Sequence, residues 1–281
     1  MPELPEVETI RSQLQAQLVG QAITGYSCSW EKSFTVRGVA RDAILGREIT
    51  GTWRRGKVLG IELSGTLALL VHLRMTGQLL LVEQPDLPEG DARHRMTRAS
   101  FALSGGGTLL FNDQRKFGRI VLLPREALSS DPLLARMGVE PLDPAFDGAY
   151  LAVQLARHPK LMVKAALLDQ SVVAGIGNIY ADEALWSAQL SPERRCASLT
   201  SAEIDTLAGS VVAVLSTALE RGGSTLRDYV NLEGRPGGYL EVAQVFGRTG
   251  QPCSRCGAPI IKLRLAGRGT HLCPRCQRFS T

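Results

Sequence analysis

Cys253-Ser254-Arg255-Cys256-Gly257 and, with sixteen residues between Cys256 and Cys273, Cys273-Pro274-Arg275-Cys276 place two Cys-x-x-Cys knuckles near the end of the 281-residue sequence. This spacing falls in the window of a four-thiolate zinc site, each pair setting two sulfurs on one tight turn. Knuckles at the ends of a hairpin close a tetrahedron, so the segment reads as a β-hairpin zinc ribbon. The rival reading, disulfides, requires an oxidising compartment. Yet the sequence opens with Glu3, Glu6, Glu8 and Arg11 instead of the apolar stretch of an export signal. Four thiolates leave no open coordination position, which makes the single zinc ion bound by Cys253, Cys256, Cys273 and Cys276 structural. His271 reads as a surface or nucleic-acid-facing side chain. Cys28 and Cys196, isolated in sequence, read as buried thiols acting as small hydrophobes.

The ribbon is basic. Residues 245–281 hold Arg248, Arg255, Lys262, Arg264, Arg268, Arg275 and Arg278 and no acid, which leaves 25 basic against 27 acidic residues elsewhere. A cationic tail on a balanced chain points to a polyanion partner, with a solvated basic face as the alternative. The length suits about two domains, and 44% hydrophobic with 21% charged residues is a globular composition. No run of 18 apolar residues occurs, so no membrane span is expected and the protein is placed in the cytoplasm.

Working upstream, Thr200 and Glu203 form a capping box ahead of an apolar stripe at Ile204, Leu207, Val211, Val214, Leu215 and Leu219, ended by Gly222-Gly223. Further helices are expected over 147–157, 161–169 and 178–188. Between the last two lies Gly175-Ile176-Gly177-Asn178-Ile179-Tyr180, a tight turn at a helix N-terminus that suits a phosphate. A dinucleotide fingerprint is excluded there because the third glycine is missing. Pro132, Pro141 and Pro144 mark a connection over 128–146. Residues 1–127 start with a helix carrying Val7, Ile10, Leu14 and Leu18 and continue as strands over 22–29, 58–63, 67–73, 78–82, 98–103, 108–112 and 118–123. The fold expected is α+β. An N-terminal β-sandwich with flanking helices spans 1–127, a helical domain spans 147–244, and the ribbon spans 245–281.

The first residues, Met1-Pro2-Glu3-Leu4-Pro5-Glu6-Val7-Glu8-Thr9, carry the chemistry. Trimming of Met1 would expose a secondary amine beside a carboxylate. An α-amino group titrates near ~8, so roughly a tenth is unprotonated at neutral pH and can attack a sugar carbon by the Schiff-base route.

Pro2-Glu3-Leu4-Pro5-Glu6-Val7-Glu8-Thr9, the 175–180 turn and the terminal four-cysteine ribbon, in that order, resemble the formamidopyrimidine-DNA glycosylase family along the whole sequence. The resemblance implies a bifunctional base excision repair enzyme that removes oxidised purines from double-stranded DNA and cleaves the strand by β,δ-elimination; a reader of DNA lesions of this size can act alone, so a monomer is expected. It identifies 175–180 with the family's helix-two-turn-helix element. It assigns Pro2 as nucleophile, Glu3 as acid/base, Lys57 to proton transfer and phosphate contact, and Arg268 to δ-elimination and phosphate binding. Arginine is a poor general acid, which favours the phosphate role. Met75, Arg115 and Phe117 would refill the stack vacated by the extruded nucleotide. His94, Lys160 and Asn178 would contact DNA, and residues 224–239 would form a lid over the extruded base.

Arg74, Gln114 and the Arg157-His158-Pro159-Lys160 run depart from the family pattern, the last making Lys160 the weakest assignment. The competing functions are an endonuclease VIII-like glycosylase for oxidised pyrimidines and a non-catalytic zinc-ribbon DNA-binding protein. Leu4-Pro5 with Val7-Glu8-Thr9 favours the purine branch.

Overall fold

Leu4, Val7, Ile10, Leu14 and Leu18 are all buried on one face of helix α1, Leu4–Leu18, which starts at a reciprocal capping box between Glu3 and Glu6. The computed structural model describes residues 1–83, 95–226 and 229–278. They divide into two units, Met1–Ala135 with Gly222–Gly237, and Arg136–Arg221 with Gly238–Thr281.

The first unit follows α1 with strands β1 Ala22–Cys28, β2 Phe34–Val36, β3 Arg47–Arg55, β4 Val58–Leu63, β5 Leu67–His72, β6 Gly77–Val82, β7 Thr97–Leu103, β8 Thr108–Asp113 and β9 Arg119–Pro124. Their order is β2-β9-β5-β4-β3-β1-β7-β8-β6, antiparallel throughout except for β2 on β9. β1 is the corner. Ala22 and Ile23 pair with β3, and beyond an irregularity at Ile23–Gly25 the strand pairs with β7. The two halves of the sheet share one apolar cluster, in which Phe34 packs edge-on against Phe101 at 5.1 Å.

The strands over 22–29, 58–63, 67–73, 78–82, 98–103, 108–112 and 118–123 are found within a residue or two of their expected limits. Two strands had no sequence signal. β2 is three residues long, and β3 carries charged ends around Gly51 with most positions half-exposed, so no alternation marks it. Cys28, expected to be buried, is half-exposed, and its Sγ lies 3.3 Å from the Trp30 carbonyl.

A short helix, α2 Pro132–Ala135, ends the contiguous part of this unit. In the second unit, α3 Gly148–Ala156 is capped by Asp147, whose carboxylate accepts from Tyr150 N at 2.7 Å. α4 Val163–Leu168 and α5 Asn178–Ser187 flank the two-turn element, and α6 Ser201–Glu220 follows the Thr200/Glu203 capping box. α6 has the length and hydropathy of a membrane span, but Ile204, Leu207, Ala208, Val211, Leu215 and Ala218 are buried in this unit's core. Val214 and Leu219, assigned to the stripe from sequence, are only half-buried, because Ala208 and Ala218 occupy the contact line. β10 Ile261–Leu265 and β11 Arg268–Leu272 form the ribbon hairpin around Ala266-Gly267.

Glu203 links the cap of α6 to the preceding loop. Hydrogen bonds from the Arg194 guanidinium, 2.7 Å away, hold its carboxyl down at about 2 from the ordinary 4.5. Because the folded-state value is depressed, this contribution to stability is complete above about 4.5 and disappears as pH falls toward 2. Glu203→Gln keeps the capping pattern and removes the charge. With Glu203 30% exposed, it should cost roughly 1–2 kcal/mol at pH 7 in urea unfolding, a difference that closes below pH 4.

Candidate functional site

Pro2 is buried at the mouth of α1, and Glu3, 3% exposed, is the N-cap residue. Glu3 N donates to Glu6 Oε2 at 2.6 Å, and Ser224 N donates to Glu6 Oε1 at 2.6 Å. One turn along the helix, Glu8 accepts from Arg54 Nε at 2.9 Å. Arg54 in turn donates from Nη1 to the Gly56 carbonyl at 3.0 Å. The two-residue turn Gly56-Lys57, with Gly56 at φ +56°, is thereby fastened to the helix that begins at Glu3. Lys57 is 6% exposed, a burial that lysine tolerates only when its ammonium has partners.

His72, at the end of β5, was not singled out from sequence. Burial, with the Arg74 and Lys57 cations close by, pulls its imidazole down to about 4. It is therefore neutral at pH 7, and Arg74 N donates to Nδ1 at 3.0 Å, which places the ring proton on Nε2.

Met75, Arg115 and Phe117 come together on two adjacent loops. Met75 is 41% and Phe117 49% exposed, and Arg115 joins them, donating from Nη1 to Met75 Sδ at 2.9 Å with its guanidinium 4.9 Å from the Phe117 ring centre. The two loops are clamped by Asp113, only 1% exposed. Its carboxylate accepts from Thr76 Oγ1 at 2.5 Å, Arg115 N at 3.2 Å and Gly118 N at 2.6 Å. Arg74 and Lys116, one residue before Met75 and Phe117, are both left-handed at φ +55° and +60°. The clamp holds two backbone turns that L-residues seldom adopt.

Ser224, Tyr229 and Leu232 tie the segment after α6 to α1. Tyr229 and Leu232 enter the sheet unit's core, Tyr229 Oη donates to the Gly222 carbonyl at 3.2 Å, and Leu232 N donates to Gln13 Oε1 at 2.9 Å. Burial raises the phenol of Tyr229 well above its usual value, so it stays a donor.

In the second unit, Asn178 opens α5 and donates from Nδ2 to the Gly269 carbonyl at 2.9 Å. Arg268 stands exposed beside that carbonyl at the hairpin tip, and Lys160 is an exposed loop residue. His94 lies outside the described residues. His271 differs from its expected surface position: it is 6% exposed, its N donates to Asp182 Oδ2 at 2.8 Å, and its Nδ1 lies 3.2 Å from the same oxygen. Thr270 faces the two-turn element, where its Oγ1 accepts from Lys164 Nζ, and both the backbone amide and the ring of the next residue meet Asp182.

The sulfurs of Cys253, Cys256, Cys273 and Cys276 all lie within 4.8 Å of one another, with Cys256–Cys273 at 3.4 Å and Cys253–Cys276 at 3.9 Å. Zinc–sulfur bonds of ~2.3 Å in a tetrahedron put sulfurs about 3.8 Å apart, so the four residues fit one structural zinc ion. Burial opposes ionisation of Cys253, but the Trp186 indole and the backbone amides of Arg255 and Cys256 outweigh it and bring the thiol down to about 6. Burial and the neighbouring sulfurs push Cys276 up to about 12, so the complete thiolate set forms only with the metal.

Residues 1–120 match the formamidopyrimidine-DNA glycosylase N-terminal domain, residues 137–230 the formamidopyrimidine-DNA glycosylase H2TH domain, and residues 250–278 a zinc finger found in FPG and IleRS. A formamidopyrimidine-DNA glycosylase of Pelotomaculum thermopropionicum is 43% identical over 280 residues, covering 99% of each chain. The structure of a Lactococcus lactis FPG mutant in complex with a Fapy-dG containing DNA has a TM-score of 0.89 at 36% identity, covering 99% of this chain and 100% of that one. The MutM (FPG) protein of Thermus thermophilus gives 0.86 at 42% identity over 98% of both.

Asparagine at position 113 would present at least one donor to three donors. Asp113→Asn should therefore cost about 1–3 kcal/mol in urea unfolding with an unchanged slope. Chelation at neutral pH should release one zinc per chain. It should also remove hydrogen-exchange protection from β10 and β11 while leaving the β4–β5 amides protected.

Proposed function

Because the chain belongs to the formamidopyrimidine-DNA glycosylase family, we propose that its chemistry runs through the nitrogen of Pro2. The protein is a base excision repair enzyme, a DNA glycosylase and abasic-site lyase that binds damaged double-stranded DNA. Its substrates are oxidised purines, formamidopyrimidines and 8-oxoguanine. What carries the Pro2 assignment is a buried Pro2-Glu3 start, rigidly capped onto α1, in a chain that aligns with these enzymes over 99% of its length.

After removal of Met1, the Pro2 nitrogen lone pair forms a bond to C1′ of the damaged nucleotide as the glycosidic bond breaks, and the base leaves with a proton. Glu3, one residue away, is placed to move protons on the sugar. Cleavage of the C1′–O4′ bond, with O4′ taking up a proton, then leaves an iminium at C1′ that acidifies a C2′ hydrogen. Its loss expels the 3′ phosphate, and a second elimination expels the 5′ phosphate. Lys57, fastened to α1 through Arg54 and Glu8, serves proton transfer and phosphate contact on the same side of the sheet unit as His72. The His72 Nε2–H is a neutral donor suited to a phosphate oxygen.

Met75 and Phe117 are wedges and Arg115 the partner of the orphaned base, an arrangement supported by their exposure and prior assembly around Asp113. Asn178 and Arg268 bind phosphates, with His94 and Lys160 as further DNA contacts. We assign the catalytic domain to 1–127, a linker to 128–146, the helical DNA-binding domain with its lesion loop to 147–244 and the ribbon to 245–281. The protein works as a monomer in the bacterial cytoplasm.

Borohydride should trap the protein covalently on a duplex carrying 8-oxoguanine opposite cytosine. Pro2→Gly should lower trapping and strand cleavage by at least about 100-fold while DNA affinity stays within about threefold. Intact mass should show loss of Met1. Faster cleavage of thymine glycol duplexes would reassign the enzyme to the pyrimidine branch, and tight binding with no adduct would make it a binding module.

A further inference from the structure

Three consecutive residues after Arg268 are each held by a side chain of the helix-two-turn-helix element. Asn178 Nδ2 donates to the Gly269 carbonyl at 2.9 Å, and Lys164 Nζ donates to that carbonyl at 3.3 Å and to Thr270 Oγ1 at 2.7 Å. His271 N donates to Asp182 Oδ2 at 2.8 Å. The circuit closes through an ion pair between Lys164 Nζ and Asp182 Oδ1 at 2.6 Å, in which both side chains are fully buried.

Such a pair is a poor device for stability. Taking an ammonium and a carboxylate out of water commonly cancels their attraction, and a neutral pair of similar volume often folds as well. Its distinctive property is directional. Each charge has one place to be, and further donors and acceptors of both groups go to residues 269–271 of β11. Lys164 comes from α4, and Asp182 lies one turn beyond Asn178 on α5. Thr270 is completely buried, and a shift of β11 by one residue would turn it to the opposite face and move residues 269–271 away from these partners.

We infer that Lys164 and Asp182 are positioning residues that fix β11 against the two-turn element, so that the Arg268 guanidinium and the Asn178 amide meet backbone phosphates at a set spacing. The inference rests on the phosphate-binding assignment of Arg268 and Asn178. Donors held in place before binding avoid the ordering cost that a mobile hairpin tip would incur when DNA arrives. Neither positioning residue touches DNA, and together they carry no net charge. Removing both leaves the protein's overall charge unchanged, so any loss of a phosphate contact reports geometry.

The decisive variant is Lys164→Met with Asp182→Asn, which neutralises the pair and keeps an acceptor for His271 N. It is compared with Arg268→Ala, and with all three changes combined, by titrating a duplex bearing a tetrahydrofuran abasic analogue across a range of salt concentrations. The double variant should keep one zinc per chain, bind about tenfold more weakly at 100 mM salt, and lose about one unit of salt slope although no surface charge was removed. Arg268→Ala should do the same, and the triple variant should be no worse than either, because all act on one contact. Trapping at saturating DNA should be unchanged in the double variant. Wild-type affinity and slope in the double variant, with Arg268→Ala impaired, would overturn the positioning role and leave the phosphate assignment standing. Wild-type behaviour of Arg268→Ala would overturn both. If the double variant fails to fold or to hold zinc, Thr270→Val decides: about threefold weaker binding supports the inference and wild-type binding overturns it.

Discussion

A carboxylate buried in the first turn of a helix must be matched by donors or it destabilises the fold by several kcal/mol, and Glu6 finds its donors at opposite ends of the sequence. One is the amide of Glu3, three residues before it, and the other is the amide of Ser224, 218 residues after it. The first bond sets the entry angle of the chain into α1 and with it the direction of Pro2. The second draws the segment that leaves α6 back onto that helix. Gly223 is part of the constraint: its φ is +83°, and a Cβ there would lie 2.7 Å from Glu6 Oε1. Any side chain at 223 would strain the backbone and displace the acceptor on which the helix start depends. The proposed nucleophile and the proposed lid are thus referred to the same pair of oxygens.

The parts of this arrangement that were legible in the sequence are those whose signal is local. Four cysteines at fixed spacing, the Thr200/Glu203 capping box and the apolar periods of α1 and α6 each state their structure within twenty residues or so. Seven strands were legible for the same reason. β3 was not, because a central strand with its faces half-covered by a helix on one side and its ends charged shows no alternation to read. Pro2 and Glu3 stood out as an amine beside a carboxylate, Lys57, Met75, Arg115 and Phe117 were picked out by resemblance, and the structure gathers all six on one unit. Composition alone would have left Met75 and Phe117 among core residues, whereas both are exposed.

What the sequence hid is the set of residues that hold the others. Glu6, Asp113, Lys164, Asp182 and Glu183 are each at most 3% exposed, and each joins segments remote from its own. Glu183 is typical. Burial raises its carboxyl above the usual range, against the opposing pull of backbone amides of Phe246, Gln244 and Val245 that donate to it at 2.8, 2.8 and 2.9 Å. Those amides belong to the chain entering the ribbon. No spacing rule connects residue 183 to residue 246, since the partner of a buried acid is chosen by the fold. His271 went astray for this reason: a histidine beside a metal knuckle in a basic tail reads as exposed until Asp182 is known to face it.

One helix, α5, therefore carries three polar duties within six residues. Asn178 faces the ribbon tip, Asp182 faces β11 and Glu183 faces the turn that enters the zinc site. Positions 178, 182 and 183 span one and a half turns, so all three fall on a single side of the helix, the side that apolar contact would otherwise occupy. Apolar packing alone would stick the ribbon to this helix without choosing its rotation, because dispersion and burial are nearly indifferent to a small slide. Acceptors that each satisfy a particular backbone amide are not indifferent. A ribbon whose core is four sulfurs and a few small hydrophobes has little apolar surface to lock it, and the polar face of α5 supplies the register that its own core cannot.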